Sequence, residues 1–262
     1  MTDPLLFIDT NIILDFYRVR NGSVRVEFLD QIEQNYRSII LTSQVEMEYK
    51  KHRQKVIIDS LKELKTDIGN SSIAPILNNS QPATMMNRKI KEYKEQYRLL
   101  KGRISAILND PSKNDMVYQT MNRVFKKDWD FHQNRTDEER YRIRKLAFKR
   151  FGLGYPPRKK GDTSIGDAVN WEYIIDCANR VKKDVLIVSR DGDYGLSHDG
   201  QSFMNDWLSK EFKERVGRRQ NIQLTTNLSD GLAAIHSPVS KATADAEIEM
   251  IESSSSSSSS AT

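Results

Sequence analysis

The chain has 262 residues, of which 37% are hydrophobic and 29% are charged. This apolar content is sufficient for a folded core, so wholesale disorder is excluded. The mean hydropathy of -0.65, with no run of about 18 apolar residues, excludes a transmembrane helix. The single Cys177 excludes a disulfide framework and a cysteine-based zinc site. Because the N-terminus also lacks a basic secretory signal, we expect a cytoplasmic protein.

The net charge is +5, from 41 Lys and Arg against 36 Asp and Glu. The last 22 residues hold one Lys and four acidic residues, so positions 1–240 carry 40 basic and 32 acidic side chains. Such a basic body is compatible with a nucleic acid partner. Residues 88–103 and 123–150 interleave basic and aromatic residues. These two segments fit either contacts with phosphates and bases or solvated helices.

Four short apolar runs predict buried strands, at residues 5–9, 38–42, 184–189 and 221–225. None alternates cleanly, which is typical of strands covered on both faces of a parallel sheet. Each run precedes a helical or turn signal, which indicates an α/β fold with a mostly parallel sheet flanked by helices. We therefore expect a core of residues 1–60 and 155–236, a helical insertion at 61–154 and a disordered, Ser-rich tail at 237–262.

Acidic residues stand where these predicted elements meet. Asp9 closes the first strand, Asp191 closes the third, and Glu48 lies in the helix after the second. In an open α/β sheet, ligands bind outside the carboxyl ends of the strands, so these three acids would share one crevice. Asp167 opens the helix before the third strand, and topology alone would place it at the opposite edge.

Clustered carboxylates repel one another unless a cation lies between them, and their hard oxygens suit Mg²⁺ or Mn²⁺. Such ions activate water for the hydrolysis of phosphodiesters. Other interpretations stay open at individual positions. Asp191 fits an Asp-Gly turn and Asp167 fits a capping box with Ser164, while the choice between Glu46 and Glu48 is not settled.

Four blocks in order resemble the motifs of PIN-domain nucleases. Phe-Ile-Asp-Thr-Asn-Ile-Ile-Leu at 7–14 resembles the opening motif, and Ser-Gln-Val-Glu-Met-Glu-Tyr at 43–49 resembles the second. Gly-Asp-Ala-Val-Asn-Trp at 166–171 and Val-Ser-Arg-Asp at 188–191 resemble the third and fourth. The blocks are most similar to a PIN-like subgroup with a long helical insertion. The resemblance implies a Rossmann-like sheet and a metal-dependent nuclease, usually one that acts on RNA.

The resemblance also implies which residues act. The catalytic, metal-binding acids would be Asp9, Glu48, Asp167 and Asp191, with Asp193 and Asp162 as further candidates. The residues expected to contact the substrate are Asn11, Arg190, Lys159 and Lys160. The expected activity is that of an endoribonuclease that uses Mg²⁺ or Mn²⁺ on single-stranded RNA. The resemblance also leaves open a homodimer and an inhibitory protein partner.

Alternative functions make different demands on the sequence. A catalytically silent nucleic-acid-binding module would be free to lose one of the acids, yet all are present, and a DNA-directed nuclease would use the same acids. A phosphatase of the haloacid dehalogenase type needs a second Asp two residues after the first, where this chain has Asn11. No GxGxxG follows a predicted strand, which disfavours a dinucleotide enzyme.

Overall fold

The computed structural model describes residues 3–19, 21–62, 75–77, 80–157 and 164–258, without the side chains of residues 61, 62, 75 and 253–258. The chain divides into two compact units, Met1–Lys51 with Thr120–Thr262, and His52–Gln119. The described strands are β1 (Leu5–Ile8), β2 (Ile39–Thr42), β3 (His132–Gln133), β4 (Val185–Val188), β5 (Gly195–His198), β6 (Gln201–Met204) and β7 (Ile222–Thr225). The described α-helices are α1 (Thr10–Asp15), α2 (Gly22–Gln34), α3 (Ser43–Lys62), α4 (Gln81–Asn109), α5 (Pro111–Asn114), α6 (Met116–Phe125), α7 (Glu139–Leu153), α8 (Gly166–Val181), α9 (Asp206–Arg215), α10 (Leu228–Ala234) and α11 (Lys241–Ser258).

The first unit is built on a five-stranded parallel sheet of order β3-β2-β1-β4-β7. The four strands predicted from apolar runs are all present, and the α/β prediction is confirmed. Every residue of β1, β2 and β4 is buried, as continuous apolar runs require. The chain leaves β1 toward β2 on one side, and β4 lies on the other. The strand order therefore reverses between β1 and β4, which is where α/β sheets place their ligand sites.

Helices pack closely on this sheet. α10 contacts β1, β4 and β7, and a side chain at its Gly231 would meet Val188 and Leu6. α8 contacts β2, α7 and α9 and is buried along most of its length, including Trp171 and Cys177. Cys177 therefore packs in the core, as its helical spacing predicts, and burial raises the pKa of its thiol to about 12.

Two features of the strands were not predicted. β3 pairs with β2 inside the segment predicted as a helical insertion, so residues 120–154 belong to the first unit, and the prediction for 61–154 is wrong there. β3 has only two polar residues and no apolar run to mark it, and the Trp129 indole holds it in place by donating to the Ile39 carbonyl, 2.9 Å away. The antiparallel hairpin β5–β6 was also missed, because its residues are mostly polar or exposed.

The described part of the second unit is helical. Its buried Arg53 forms an ion pair with Asp115 at 2.7 Å and donates to the Ile107 carbonyl at 2.8 Å. α4 is 29 residues long, and most of its residues are exposed. No helix in the described part of the chain is long and apolar enough to cross a membrane.

The C-terminal segment differs from the disordered tail predicted from residue 237, because residues 241–258 form α11. Glu247 explains much of this order. Its buried carboxylate accepts hydrogen bonds from the backbone N–H groups of Leu228 and Ser229, at 2.7 and 2.9 Å, and forms an ion pair with Arg190 at 2.7 Å. One charged residue thus fixes α11 to the start of α10 and to the segment after β4.

We predict that Glu247→Gln lowers the free energy of unfolding by about 2 kcal/mol, because a buried charge pair and charge-assisted hydrogen bonds are weakened. Urea unfolding measures this change. The control is Glu249→Gln, at an exposed position of the same helix, with an expected change below about 0.5 kcal/mol. Equal stability of the two variants would contradict this role of Glu247.

Candidate active site

The ends of β1 and β4 bring two polar residues into contact. Ile8 pairs with Val188 in the sheet, and the backbone N–H of Asp9 continues the ladder by donating to the Val188 carbonyl at 3.0 Å. The next residues, Asp9 and Ser189, therefore lie side by side at the carboxyl edge. The Ser189 hydroxyl donates to Asp9 Oδ2 at 2.6 Å. The ends of β1 and β4 are therefore adjacent, and they lie where the strand order reverses.

Asp9 is buried, with 6% of its surface exposed, and three donors support its carboxylate. Besides the Ser189 hydroxyl, the backbone N–H of Thr10 donates to Oδ1 at 2.7 Å, and the Asn11 side-chain amide donates to Oδ2 at 2.8 Å. Asp9 also occupies the N-cap position of α1. The carboxylate is therefore held in one orientation by groups within two residues of it and by the end of β4.

The pKa of Asp9 is raised from 3.8 to about 6. The main cause is burial, which disfavours the charged form, while the hydrogen bonds from Ser189 and Thr10 lower the pKa. The negative charges of Glu48 and Asp191 raise it further. Both of these acids consequently lie within electrostatic range of Asp9.

Glu48 lies in the second turn of α3 and turns toward the end of β1. Its carboxylate accepts from the Thr10 hydroxyl at 3.0 Å and from the Gln44 side-chain amide at 2.7 Å. Glu46 faces elsewhere and pairs with Lys50 at 2.5 Å. Of the two acids that the sequence left open, Glu48 is the one beside Asp9.

Asp167 also lies near this edge of the sheet. A side chain at Gly166 would collide with the Glu48 carboxylate, so α8 begins directly against Glu48. One turn later, Asn170 accepts from the Thr42 hydroxyl at the end of β2, at 2.6 Å. The topological expectation that this helix starts at the opposite edge is wrong. A helix between two parallel strands runs antiparallel to both, so its N-terminus lies at their carboxyl ends.

Tyr194 is a central residue of the site that sequence reasoning missed. It is fully buried, and within the described residues its hydroxyl has no hydrogen-bond partner. Its pKa is raised well above 10.0, first by burial and then by the charges of Asp9, Asp167, Glu48 and Asp193. Four acids from separate segments therefore lie within electrostatic range of one buried hydroxyl group.

The segment after β4 contributes Asp191 and Asp193. The backbone N–H of Asp191 donates to the Ser189 hydroxyl at 3.1 Å, and Asp191 Oδ1 accepts from the Gly192 N–H at 3.2 Å. These contacts form the turn that an Asp-Gly sequence favours, and the half-buried Asp191 lies within electrostatic range of Asp9. Asp193 is buried near Tyr194.

The residue types of the site fit a hard divalent cation, although its described acids are not close enough together to hold one. Carboxylate oxygens are the ligands that Mg²⁺ and Mn²⁺ prefer, and the unpartnered Tyr194 hydroxyl adds a buried polar group beside them. Across the residues with described coordinates, no three His, Cys, Asp or Glu side chains stand close enough to hold one ion.

The residues expected to contact the substrate have different surroundings. Asn11 accepts from the Arg190 N–H at 3.3 Å and donates to Ser189 at 3.2 Å, so it joins the ends of β1 and β4. Arg190 pairs with Asp15 and Glu247 and donates to the Thr226 carbonyl at 3.1 Å. Its guanidinium therefore has a structural role, and a contact between Arg190 and the substrate stays a prediction. Lys159, Lys160 and Asp162 lie outside the described residues.

Sequence reasoning also missed the supporting residues Thr10, Gln44 and Ser189. Each lies within four residues of a predicted acid, and each donates to a carboxylate of the site. A short polar residue beside an acid at a strand end is the signal that could have found Thr10 and Ser189. The spacing of four residues between Gln44 and Glu48 on one helix face could have found Gln44.

The sequence model of the PIN domain family matches residues 6–194, a span that includes the acids of all four motifs. The match covers most of the chain, and the chain belongs to the PIN domain family. This family consists generally of nucleases, so the fold is of the nuclease type. Comparison with curated proteins and comparison with solved structures give no match.

We predict that Asp9→Asn, without divalent metal, gains up to about 3 kcal/mol of stability relative to the wild type between pH 3.8 and pH 7. The pKa of about 6, against 3.8 for a free Asp, means that the folded state loses stability as the pH rises through this interval. This gain is therefore complete above pH 6 and absent below 3.8, and it adds to a pH-independent cost, because the Asn amide group would face one of the donors to Asp9.

Thermal unfolding in EDTA at several pH values measures this effect. Asp199→Asn serves as the control, because Asp199 is 89% exposed in the β5–β6 turn. A difference in melting temperature between Asp9→Asn and the wild type that stays constant from pH 4 to pH 7 would contradict the electrostatic account of Asp9.

Proposed function

We propose that the protein is a nuclease that hydrolyses phosphodiester bonds with Mg²⁺ or Mn²⁺, most readily in single-stranded RNA. The observation that carries this proposal is the placement of Asp9, Glu48 and Asp191 at the sheet edge where the strand order reverses, with the start of α8 directly against Glu48. Such a concentration of negative charge at a ligand-binding edge is costly unless a cation compensates it. Membership of a family of nucleases points to the same chemistry.

The acids and their supporting residues have distinct roles in this proposal. Asp9, Glu48, Asp167 and Asp191 would hold the metal, and Asp193 would complete the charge of the site. A bound Mg²⁺ or Mn²⁺ supplies a Lewis acid that activates water and stabilises charge on the phosphate. Ser189 and Asn11 orient Asp9, and the Thr10 hydroxyl orients Glu48. In this proposal the nucleophile is water, so no side chain has to act as the nucleophile.

The net positive charge supports a nucleic acid substrate, and the two basic segments differ in how many of their cations are free to bind it. In the 123–150 segment, one of the two basic stretches, two of the cations are engaged in ion pairs. Arg123 pairs with Glu33, and the buried Arg150 pairs with Glu172. In the second unit, by contrast, α4 exposes basic residues along its surface, including Lys91 and Lys94. The preference for RNA over DNA rests on the family resemblance.

We predict that Asp9→Asn and Glu48→Gln each reduce metal-dependent cleavage by at least about 100-fold, because each removes a negative ligand oxygen. The assay uses end-labelled single-stranded RNA, single-stranded DNA and duplex DNA, each with EDTA, Mg²⁺ or Mn²⁺. Glu46→Gln is the matched control, since Glu46 lies two residues from Glu48 but pairs with Lys50. This control should retain wild-type activity.

The outcomes separate the candidate functions. Cleavage of DNA but not RNA would show that the substrate is DNA and would leave the proposed active site unchanged. If wild type cleaves no substrate while wild type and Asp9→Asn bind RNA equally, the proposal is wrong, and the protein is a catalytically silent binding module. Equal cleavage by wild type and Asp9→Asn would show that the acids are not the active site.

A further inference from the structure

A second candidate site lies at α9, in the same unit as the acids. A cavity of about 250 Å³ is lined by two aromatic rings and by the charged face of this helix, namely Tyr155, Trp207, Lys210, Glu211, Glu214 and Arg215. This volume is below the roughly 300–1,000 Å³ of pockets that hold drug-sized ligands. The cavity therefore suits a small, flat group.

The two aromatic rings form an exposed wall. The ring centres of Tyr155 and Trp207 are 5.1 Å apart, with a tilt of 32° between the planes. Tyr155 is 40% and Trp207 48% exposed, so ring surface remains available to a ligand. Large aromatic side chains that stand together at a surface are well suited to stack on another flat ring.

Buried residues hold this wall in place. Arg150, only 4% exposed, donates to the Pro156 carbonyl next to Tyr155, and it also pairs with Glu172 and Glu211. The Trp171 indole donates to the second Glu211 oxygen at 3.2 Å. The floor of the cavity is thus fixed before any ligand arrives, which reduces the entropy lost on binding.

The charges of the cavity favour a neutral ligand with a polar edge. Arg215 pairs with Glu211 at 2.8 Å, and Lys210 lies 3.9 Å from Glu214, so neither sign dominates. Glu214 is 62% exposed and can accept hydrogen bonds from exocyclic amino groups. A phosphate would meet two carboxylates here, whereas a nucleobase presents a flat aromatic face and polar edges.

A backbone hydrogen bond joins the start of α9 to Tyr194. Asn205 caps α9, and its backbone N–H donates to the Tyr194 carbonyl at 2.9 Å. Trp207 follows Asn205 by two residues, while the side chain of Tyr194 lies within electrostatic range of Asp9 and Glu48. Trp207 therefore stands at the end of α9 that is joined to Tyr194.

We propose that Tyr155 and Trp207 form a stacking subsite for one nucleobase of a single-stranded nucleic acid whose backbone reaches the acids. The choice of a polynucleotide as the ligand rests on the proposed nuclease function. The subsite would select unpaired bases, because a base within a duplex has no free face to stack on the rings. It would tolerate different base sequences, since every base has an aromatic face.

Binding without cleavage tests this proposal. Fluorescently labelled single-stranded RNA and DNA oligonucleotides are titrated in EDTA with wild type, Trp207→Ala, Tyr155→Ala and Trp207→Phe. We expect the alanine variants to bind about 5-fold or more weakly, and Trp207→Phe to bind close to wild type. The control is Tyr141→Ala, because Tyr141 is 66% exposed on α7 but does not line the cavity.

A second readout isolates the base from the phosphate. Oligonucleotides with abasic positions should lose the difference between wild type and Trp207→Ala, and a nucleoside monophosphate should bind more weakly than the strand. Affinity of Trp207→Ala equal to that of Tyr141→Ala would overturn the subsite. If metal-dependent cleavage is found at the same time, the nuclease proposal survives that result. If binding depends on Trp207 but no substrate is cleaved, the subsite stands and the nuclease proposal fails.

Discussion

The site depends on one unfavourable placement, the burial of the Asp9 carboxylate at the end of β1. A charge in this position needs donors, and Thr10, Ser189 and Asn11 supply them from the two strand ends. The remaining cost appears as a pKa of about 6. Because the parallel order puts β4 beside β1, the same edge also receives Asp191. The parallel pairing of β1 and β4 therefore explains why Asp9 and Asp191 lie at the same edge of the sheet.

The segment after β4 is held from several directions. Asn11 fixes the backbone of Arg190 from the start of α1, and the Arg190 side chain reaches Asp15 and, through Glu247, the C-terminal helix α11. Arg190 directly precedes Asp191, so these ion pairs restrain the position of an acid of the site. Residues far apart in sequence thus hold the loop after β4 in one position, as a site with fixed geometry requires.

Much of this arrangement could be predicted from local sequence signals. Asp9 directly follows an uninterrupted apolar run, and Asp191 follows another after Ser189 and Arg190, so both acids could be assigned to strand ends from the sequence. β3 was not predictable in this way, because a two-residue polar strand gains its order from its neighbours. α11 was hidden by its serines, since the stabilising residue Glu247 acts through distant partners. Tyr194 required knowledge of which acids surround it, which is a property of the tertiary structure.

The central claim is that acids from separate segments form one metal site at the reversal between β1 and β4. Titration of the protein with Mn²⁺, followed by the loss of the free-ion electron paramagnetic resonance signal, tests it directly. The account predicts that Glu48→Gln and Asp167→Asn each weaken Mn²⁺ binding by at least about 10-fold, whereas Glu46→Gln leaves it unchanged. Equal Mn²⁺ affinity of all three variants and the wild type would contradict a shared site.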